Sequence, residues 1–386
     1  MIDGSELGLT EMLVNEHGQH MRFVPEWGKW LCWDGKRWAI DLTGQVRRWT
    51  QVIIEKEHAK AIRILEKAAA QLVLASVDSA EGRAAKKNFK SAERGVAYWK
   101  AKASRNGVLA VETLAKTFEG VPVNYDELDV PNNLFNCDNG TINLETGELQ
   151  GHKPSDLITK LSPAIYDPTA TSTAWIKFLE DIMGGDPEMV KFLQRMFGYS
   201  MSGETLEQSY FFLHGYGSNG KSTCISTILA TMGDYGQTAS PDLFVNKKGE
   251  SHPTGVARLC GARFVASTEI EGDDKRLAEQ LLKQITGGER MVARRMREDF
   301  WEFTPVLKLF LSANNIPQIE GDDHGTWRRI IPVPFNEQFE GERQDKELPE
   351  RLLQNLTGVL NWLVQGCLMW RAEGLNPPEH IRQSMF

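Results

Sequence analysis

The stretch that most constrains this chain is Phe211–Gly233, "FFLHGYGSNGKSTCISTILATMG". An apolar run breaks into glycines and resumes with helical spacing behind Lys221. Gly215 to Ser222 fits GxxxxGK[ST], between the strand and helix that pattern requires. Backbone N–H groups in such a loop wrap a phosphate, and the helix N-terminus adds partial positive charge. A chance match in a chain this long has odds of roughly one or two per cent from average residue frequencies. Gly215, Gly217, Ser218, Asn219, Gly220, Lys221, Ser222 and Thr223 therefore read as a nucleotide cradle. Lys221 would reach the β- and γ-phosphates of ATP, and the Ser222 hydroxyl would hold Mg²⁺.

A cradle alone hydrolyses nothing; the metal needs an acidic partner and the attacking water needs orienting. "ARFVASTEIEG" supplies a buried strand followed by Glu269 and Glu271, with Glu269 the expected metal partner. "KLFLSANNIP" is a second strand, ending in Asn314 and Asn315, whose neutral amides can bond a γ-phosphate without competing for Mg²⁺. "GTWRRIIPVPF" sets Arg328 and Arg329 just before a third strand. An arginine supplied by a neighbouring subunit can stabilise transition-state charge, and a structural ion pair is the competing role. Strands and helices alternate through this half of the chain, which implies a largely parallel α/β sheet flanked by helices.

The rest is organised differently. "WGKWLCWDGKRWAIDLTG" carries Trp27, Trp30, Trp33 and Trp38, and reads as short strands whose aromatic rings pack in a small sheet. Thr50 to Thr117 is helical in pattern, and within it "EGRAAKKNFKSAERGVAYWKAKASR" is basic, as solvated helix faces often are. Asn132 to Pro168 reads as short strands with turns, and Ser172–Met183 and Pro187–Met201 as helices. The expected division is a Trp-rich region at 1–50, a helical accessory domain with a β-hairpin at 51–168, a helical collar at 169–208, the motor at 209–340 and a C-terminal helical segment at 341–386.

The 386 residues carry a formal charge of −8, so any nucleic-acid contact must be made through a local basic patch. "ERMVARRMREDFWEF" is one such patch, with Arg290, Arg294, Arg295 and Arg297 beside Phe300 and Trp301. The five cysteines form no CxxC pair, which disfavours zinc. No stretch reaches the roughly 18 apolar residues of a membrane span, so a soluble cytoplasmic protein is expected.

The order of these motifs resembles the superfamily 3 helicases, of the phage and plasmid primase-helicase type related to the poxvirus primase-helicase. The likeness is strong over Ser209–Phe335, extends into "LFNCDNGTINLETGELQGHKPSD" and "LQRMFGYSMSGETLEQ", and is loose before Thr117. It implies an AAA+-type P-loop ATPase preceded by a mainly helical domain, assembled as a homo-hexameric ring with single-stranded DNA in its channel. By the same resemblance Glu269 and Glu271 are the acidic pair, Asn314 is the γ-phosphate sensor, and Arg328 or Arg329 is the finger, with Arg329 favoured. The arginines from Arg290 to Arg297 fall on a DNA-tracking hairpin. Replication proteins such as a primase would be partners, but no zinc-binding or paired-aspartate priming site is present, and the chain stops before the winged-helix region of larger relatives. The expectation is an ATP-dependent DNA helicase of a phage or mobile element. The alternatives are a DNA-stimulated ATPase that loads or remodels without unwinding, and a non-enzymatic DNA-binding ring assembled by nucleotide.

Overall fold

The computed structural model describes residues 5–76, 78–245, 253–267, 277–294, 300–314 and 327–384. They fall into two units, Met1–Leu128 and Asp129–Phe386.

The first unit begins with α1 (Glu6–His17), capped by the Ser5 hydroxyl accepting from the Gly8 N–H. A three-stranded antiparallel sheet follows: β1 (Met21–Val24), β2 (Lys29–Trp33) and β3 (Trp38–Ile40). Trp30 and Trp38 are buried, and Trp30 packs edge-on against Phe23, so these rings serve packing. Three helices complete the unit: α2 (Gln45–Leu74), α3 (Ala80–Lys102) and α4 (Arg105–Ala115). Leu9, Leu13, Met21, Phe23 and Trp30 share one core with Val46, Ile53, Ile54, Val108 and Val111. A four-residue strand cannot bury its face alone. The Trp-rich region therefore takes its core from the helices, in place of the separate 1–50 segment expected.

The second unit opens with a small sheet, β4 (Leu134–Cys137), β5 (Gly140–Asn143) and β6 (Leu149–Gln150). Its inward residues Phe135, Cys137, Ile142 and Leu144 enter the same core as the helices and strands that follow, and Phe135 stacks on Tyr235 at 4.4 Å. This small sheet thus belongs with the α/β body, not with the accessory helices as the expected 51–168 boundary had it.

Next come α5 (Thr173–Ile182), capped by Ser172, and α6 (Pro187–Tyr199), capped by Asp186 with Pro187 in its first turn. Met189, Phe192, Leu193 and Met196 form the buried face of α6, as their spacing predicts. Five parallel strands follow: β7 (Tyr210–His214), β8 (Gly236–Thr238), β9 (Phe264–Ser267), then, after the hairpin β10 (Met291–Arg294) and β11 (Phe300–Phe303), β12 (Lys308–Ala313) and β13 (Ile330–Pro334). Their order across the sheet is β13-β7-β12-β9-β8. The near-continuous burial of β7, β9 and β12 is what a parallel strand covered on both faces requires. Among the helices of this half are α7 (Lys221–Met232), α8 (Pro253–Ala257), α9 (Glu279–Gly287), α10 (Leu348–Leu353), α11 (Leu356–Glu373) and α12 (Glu379–Ser384).

The C-terminal segment is part of this body. α11 lies against α6 so closely that a Cβ on Gly366 would stand 2.0 Å from the Gln194 carbonyl oxygen. At the other end of the sheet two buried cations are held by carbonyls. Arg263 donates to the carbonyls of Leu134 and Met201 at 2.7 and 2.8 Å and lies over the Tyr235 ring. Lys308 donates to the carbonyls of Ser202, Glu204 and Val306 and sits over Tyr199. Burial pushes the Lys308 ammonium well below its ordinary range.

Candidate nucleotide site

In the sheet order, β7 lies between β12 and β13, the point where strand succession reverses. Ligands of open α/β sheets bind outside the carboxyl ends of the strands at such a point. The loop from Gly215 to Gly220 leaves β7 there and enters α7.

Positive φ and close neighbours account for two of the loop's glycines. Gly215 has φ +140°, and a Cβ there would stand 2.1 Å from the Phe335 carbonyl oxygen. Gly220 caps α7 in the left-handed region, φ +86°, and a Cβ there would meet Ile182 at 2.6 Å. Gly217 has nothing within 4 Å of such an atom, so packing does not demand glycine at that position. Ser218 holds a positive φ of 58°, and its carbonyl accepts from the Phe339 N–H at 2.8 Å.

Asn219, only 4% exposed, fixes the loop from inside. Its Nδ2 donates to the Phe335 carbonyl at 3.2 Å, and its Oδ1 accepts from the Lys221 N–H at 3.4 Å. With no side-chain cap on α7, the N–H groups of Ser222 and Thr223 have no intrahelical acceptor. Lys221 is 8% exposed and its Nζ donates to the Gly215 carbonyl at 2.5 Å. Burial lowers its pKa. A buried ammonium held by a backbone carbonyl, beside free N–H groups, is a site suited to an anion. Burial, and then the nearby Lys221 charge, push the His214 pKa down as well. The residues present therefore fit a phosphate, and the exposed Ser222 hydroxyl in the first turn fits a metal bridging to it.

Parallel register sets Ala313 level with His214, so Asn314 follows β12 at the height of Gly215, one strand away. Glu269, Glu271 and Asn315 lie outside the described residues. Arg328 and Arg329 are not brought to the loop. Ile330 pairs with Tyr210, so both arginines precede β13 at the opposite end of the sheet, about 15 Å along the strand from His214. Arg328 is exposed. Arg329 donates to Thr286 Oγ1 at 2.9 Å and to the Gln208 carbonyl at 3.4 Å.

The basic segment does form a hairpin. β10 and β11 pair antiparallel, with Met291, Ala293 and Phe303 turned inward. Val292, Arg294, Phe300 and Glu302 share the exposed face, and the Arg294 guanidinium lies 5.0 Å from the Phe300 ring centre. The Arg290 guanidinium is 3.9 Å from the Glu302 carboxylate across the hairpin. Arg295 and Arg297 lie outside the described residues. Asn219, Phe335 and Phe339 as loop-holding positions escaped the sequence reading. Their partners are over a hundred residues apart, and no local pattern links them.

A parallel sheet flanked by helices, with a glycine-rich loop leaving its strand at the switch point, defines the class as α/β. Comparison with known proteins narrows it. Residues 10–184 match the family model described as D5 N terminal like, and residues 213–329 match a family of unknown function, DUF5906. The chain is 28% identical over 279 residues to "Putative helicase L207/L206" of Acanthamoeba polyphaga mimivirus, covering 66% of this chain and 29% of that protein. It is 25% identical over 238 residues to "Putative helicase 184R" of Invertebrate iridescent virus 6, covering 58% of this chain and 24% of that one. The chain thus spans less than a third of the length of these curated relatives. Among solved structures, the apo C-terminal region of NrS-1 superposes with a TM-score of 0.56 at 12% identity, over 98% of this chain and 74% of that one, a likeness of fold. These matches are likenesses over parts of the chain to a D5-type family model and to proteins named putative viral helicases, and a likeness of fold to the NrS-1 region. Among the described residues, no helix is long and apolar enough to cross a membrane.

Proposed function

We propose that this chain is an ATP-dependent DNA helicase or translocase that works on single-stranded DNA as a hexameric ring in viral or phage replication. The observation that carries the reading is the Gly215–Ser222 loop. Among the described residues its buried lysine is held by a carbonyl, and the first turn of α7 has no side-chain cap. When bound, ATP with Mg²⁺ supplies the phosphoanhydride whose hydrolysis drives movement. Lys221 would leave the Gly215 carbonyl for the β- and γ-phosphates, the N–H groups of Ser222 and Thr223 would donate to phosphate oxygens, and Ser222 with Glu269 would hold the metal. Glu271 orients the water, and Asn314 reads the γ-phosphate from the neighbouring strand.

The distance of Arg328 and Arg329 from their own loop supports supply in trans, since no arginine before β13 can serve the site of its own chain. Arg328 is the better finger, because Arg329 is engaged with Thr286 and Gln208 of its own chain. This reverses the preference read from sequence. The hairpin β10–β11 offers Arg294 and Phe300 on one exposed face, a combination suited to a DNA backbone and its bases. A forked-duplex assay tests the reading. ATP-dependent strand release by wild type and none by Lys221→Ala supports it. ATP turnover without release favours a loader or remodeller instead.

A further inference from the structure

A marked charge asymmetry lies in the first unit. Residues 45–102, the helices α2 and α3 with their connection, hold thirteen lysines and arginines against six aspartates and glutamates, in a chain whose total is −8. On α3 the charges are sorted by face. Gly82, Ala85 and Ala92 are buried, with Phe89, Val96 and Trp99 half-buried beside them. At 100° per residue, Arg83, Lys86, Lys87, Lys90 and Arg94 fall within one 100° stripe on the other side, and all five are exposed.

The structure pairs other cations of this unit and leaves the stripe alone. Arg47 is matched with Glu112, Lys56 with Glu16, Lys60 with Glu57 and Lys102 with Glu6. Lys86, Lys87, Lys90 and Arg94 have no carboxylate partner among the described residues, and Arg83 donates only to the Asp78 carbonyl. Their spacing sets like charges at i,i+3 and i,i+4 five times over, each pair destabilising on an isolated helix. A polyanion laid along the stripe would offset that repulsion.

We infer that the outward face of α3 is a second nucleic-acid contact, one that grips the phosphate backbone of duplex DNA. The stripe is about 17 Å long. A duplex presents one phosphate charge per roughly 1.7 Å of axis, denser than a single strand. No aromatic side chain stands within the stripe, and the Tyr98 ring at its border is engaged by Trp99 and Lys102, so it offers little platform for stacking unpaired bases, unlike the hairpin with Phe300. The same lack of apolar residues gives it nothing to insert into a bilayer. The contact is therefore electrostatic, indifferent to sequence and independent of nucleotide.

The test uses the full chain, without nucleotide, and a labelled duplex whose affinity is followed by fluorescence anisotropy from about 50 to 200 mM salt. Wild type is compared with the quadruple variant Lys86→Gln/Lys87→Gln/Lys90→Gln/Arg94→Gln, which keeps good helix formers, and with Lys221→Met. Each phosphate contact adds about 0.9 to the slope of log affinity against log salt, so the quadruple variant should flatten it by about 3.6. Over that fourfold salt range the salt-induced loss of affinity then shrinks by about 150-fold. Lys221→Met should keep the wild-type slope, which separates this inference from the fate of the ATPase reading. An unchanged slope in the quadruple variant overturns the inference. So does a variant of unchanged helicity that loses binding to phosphatidylserine vesicles while keeping its duplex affinity.

Discussion

Substituting Gly366 by alanine should destabilise the second unit, and the size of the effect follows from one helix crossing. The new Cβ would stand 2.0 Å from the Gln194 carbonyl oxygen and 2.7 Å from its carbon, where ordinary contact begins at 3.4 Å. Those atoms are backbone of α6 and cannot rotate away. The crossing is tight from both sides, since a Cβ on Gly198 would meet the Cys367 nitrogen at 2.2 Å. The helices must part by about 1 Å, and such a gap forfeits a quarter to a half of each opposing van der Waals contact. Leu363, Cys367 and Trp370 of α11 are buried beside the crossing and lose contact with it. Overpacking of this kind costs about 3 kcal/mol at the upper end of its usual range. Alanine returns about 1 kcal/mol in helix propensity, leaving about 2 kcal/mol. For a unit of this size that lowers the unfolding midpoint by about 4–8 °C. Differential scanning calorimetry measures it, with Gly95→Ala in α3 as the control. A Cβ there meets nothing within 4 Å, so that substitution should stabilise its own unit slightly. An unchanged or raised midpoint for Gly366→Ala would refute the crossing.

Three further outcomes follow from individual contacts. Asn219→Ala removes the bond to the Phe335 carbonyl and the acceptor for the Lys221 N–H, which should weaken nucleotide binding about tenfold by isothermal calorimetry. Because folding lowers the Lys308 pKa, the native state binds fewer protons there than the unfolded chain. Stability from that group therefore rises with pH from its depressed native value up to 10.5, and urea midpoints of wild type relative to Lys308→Met should climb through the alkaline range. Arg328→Ala should leave the subunit's own nucleotide affinity intact while cutting turnover by about 10³-fold or more, and mixing with Lys221→Ala subunits should restore part of it.

Much of the α/β half was legible because its signals are local. A continuous apolar strand, a glycine loop and a helix stand side by side from Tyr210 to Met232, and the alternation after them implies parallel strands. The Ser172 and Asp186 caps mark helix starts in the same local way. Domain division was less legible. Nothing within "LFNCDNGTINL" says that Phe135 and Ile142 will share a core with α6 and α11, because that pairing is long-range. The edge strand β8, three residues reading Gly-Gln-Thr, has neither length nor apolar alternation, and its hydrogen bonds to β9 alone define it. At the site, the glycine-rich loop between a strand and a helix could be read directly. The end of the sheet on which Arg328 and Arg329 fall could not, since it depends on the register of β13 against β7.

The measurement that bears most directly on the central claim is ATP hydrolysis with and without single-stranded DNA. It is run on wild type, on Arg294→Ala/Arg295→Ala, and on Lys221→Ala as the inactive control. The account predicts turnover that DNA stimulates in wild type, a double variant that keeps basal turnover and loses only the stimulation, and no turnover without Lys221. Turnover indifferent to DNA, or persisting without Lys221, would contradict it.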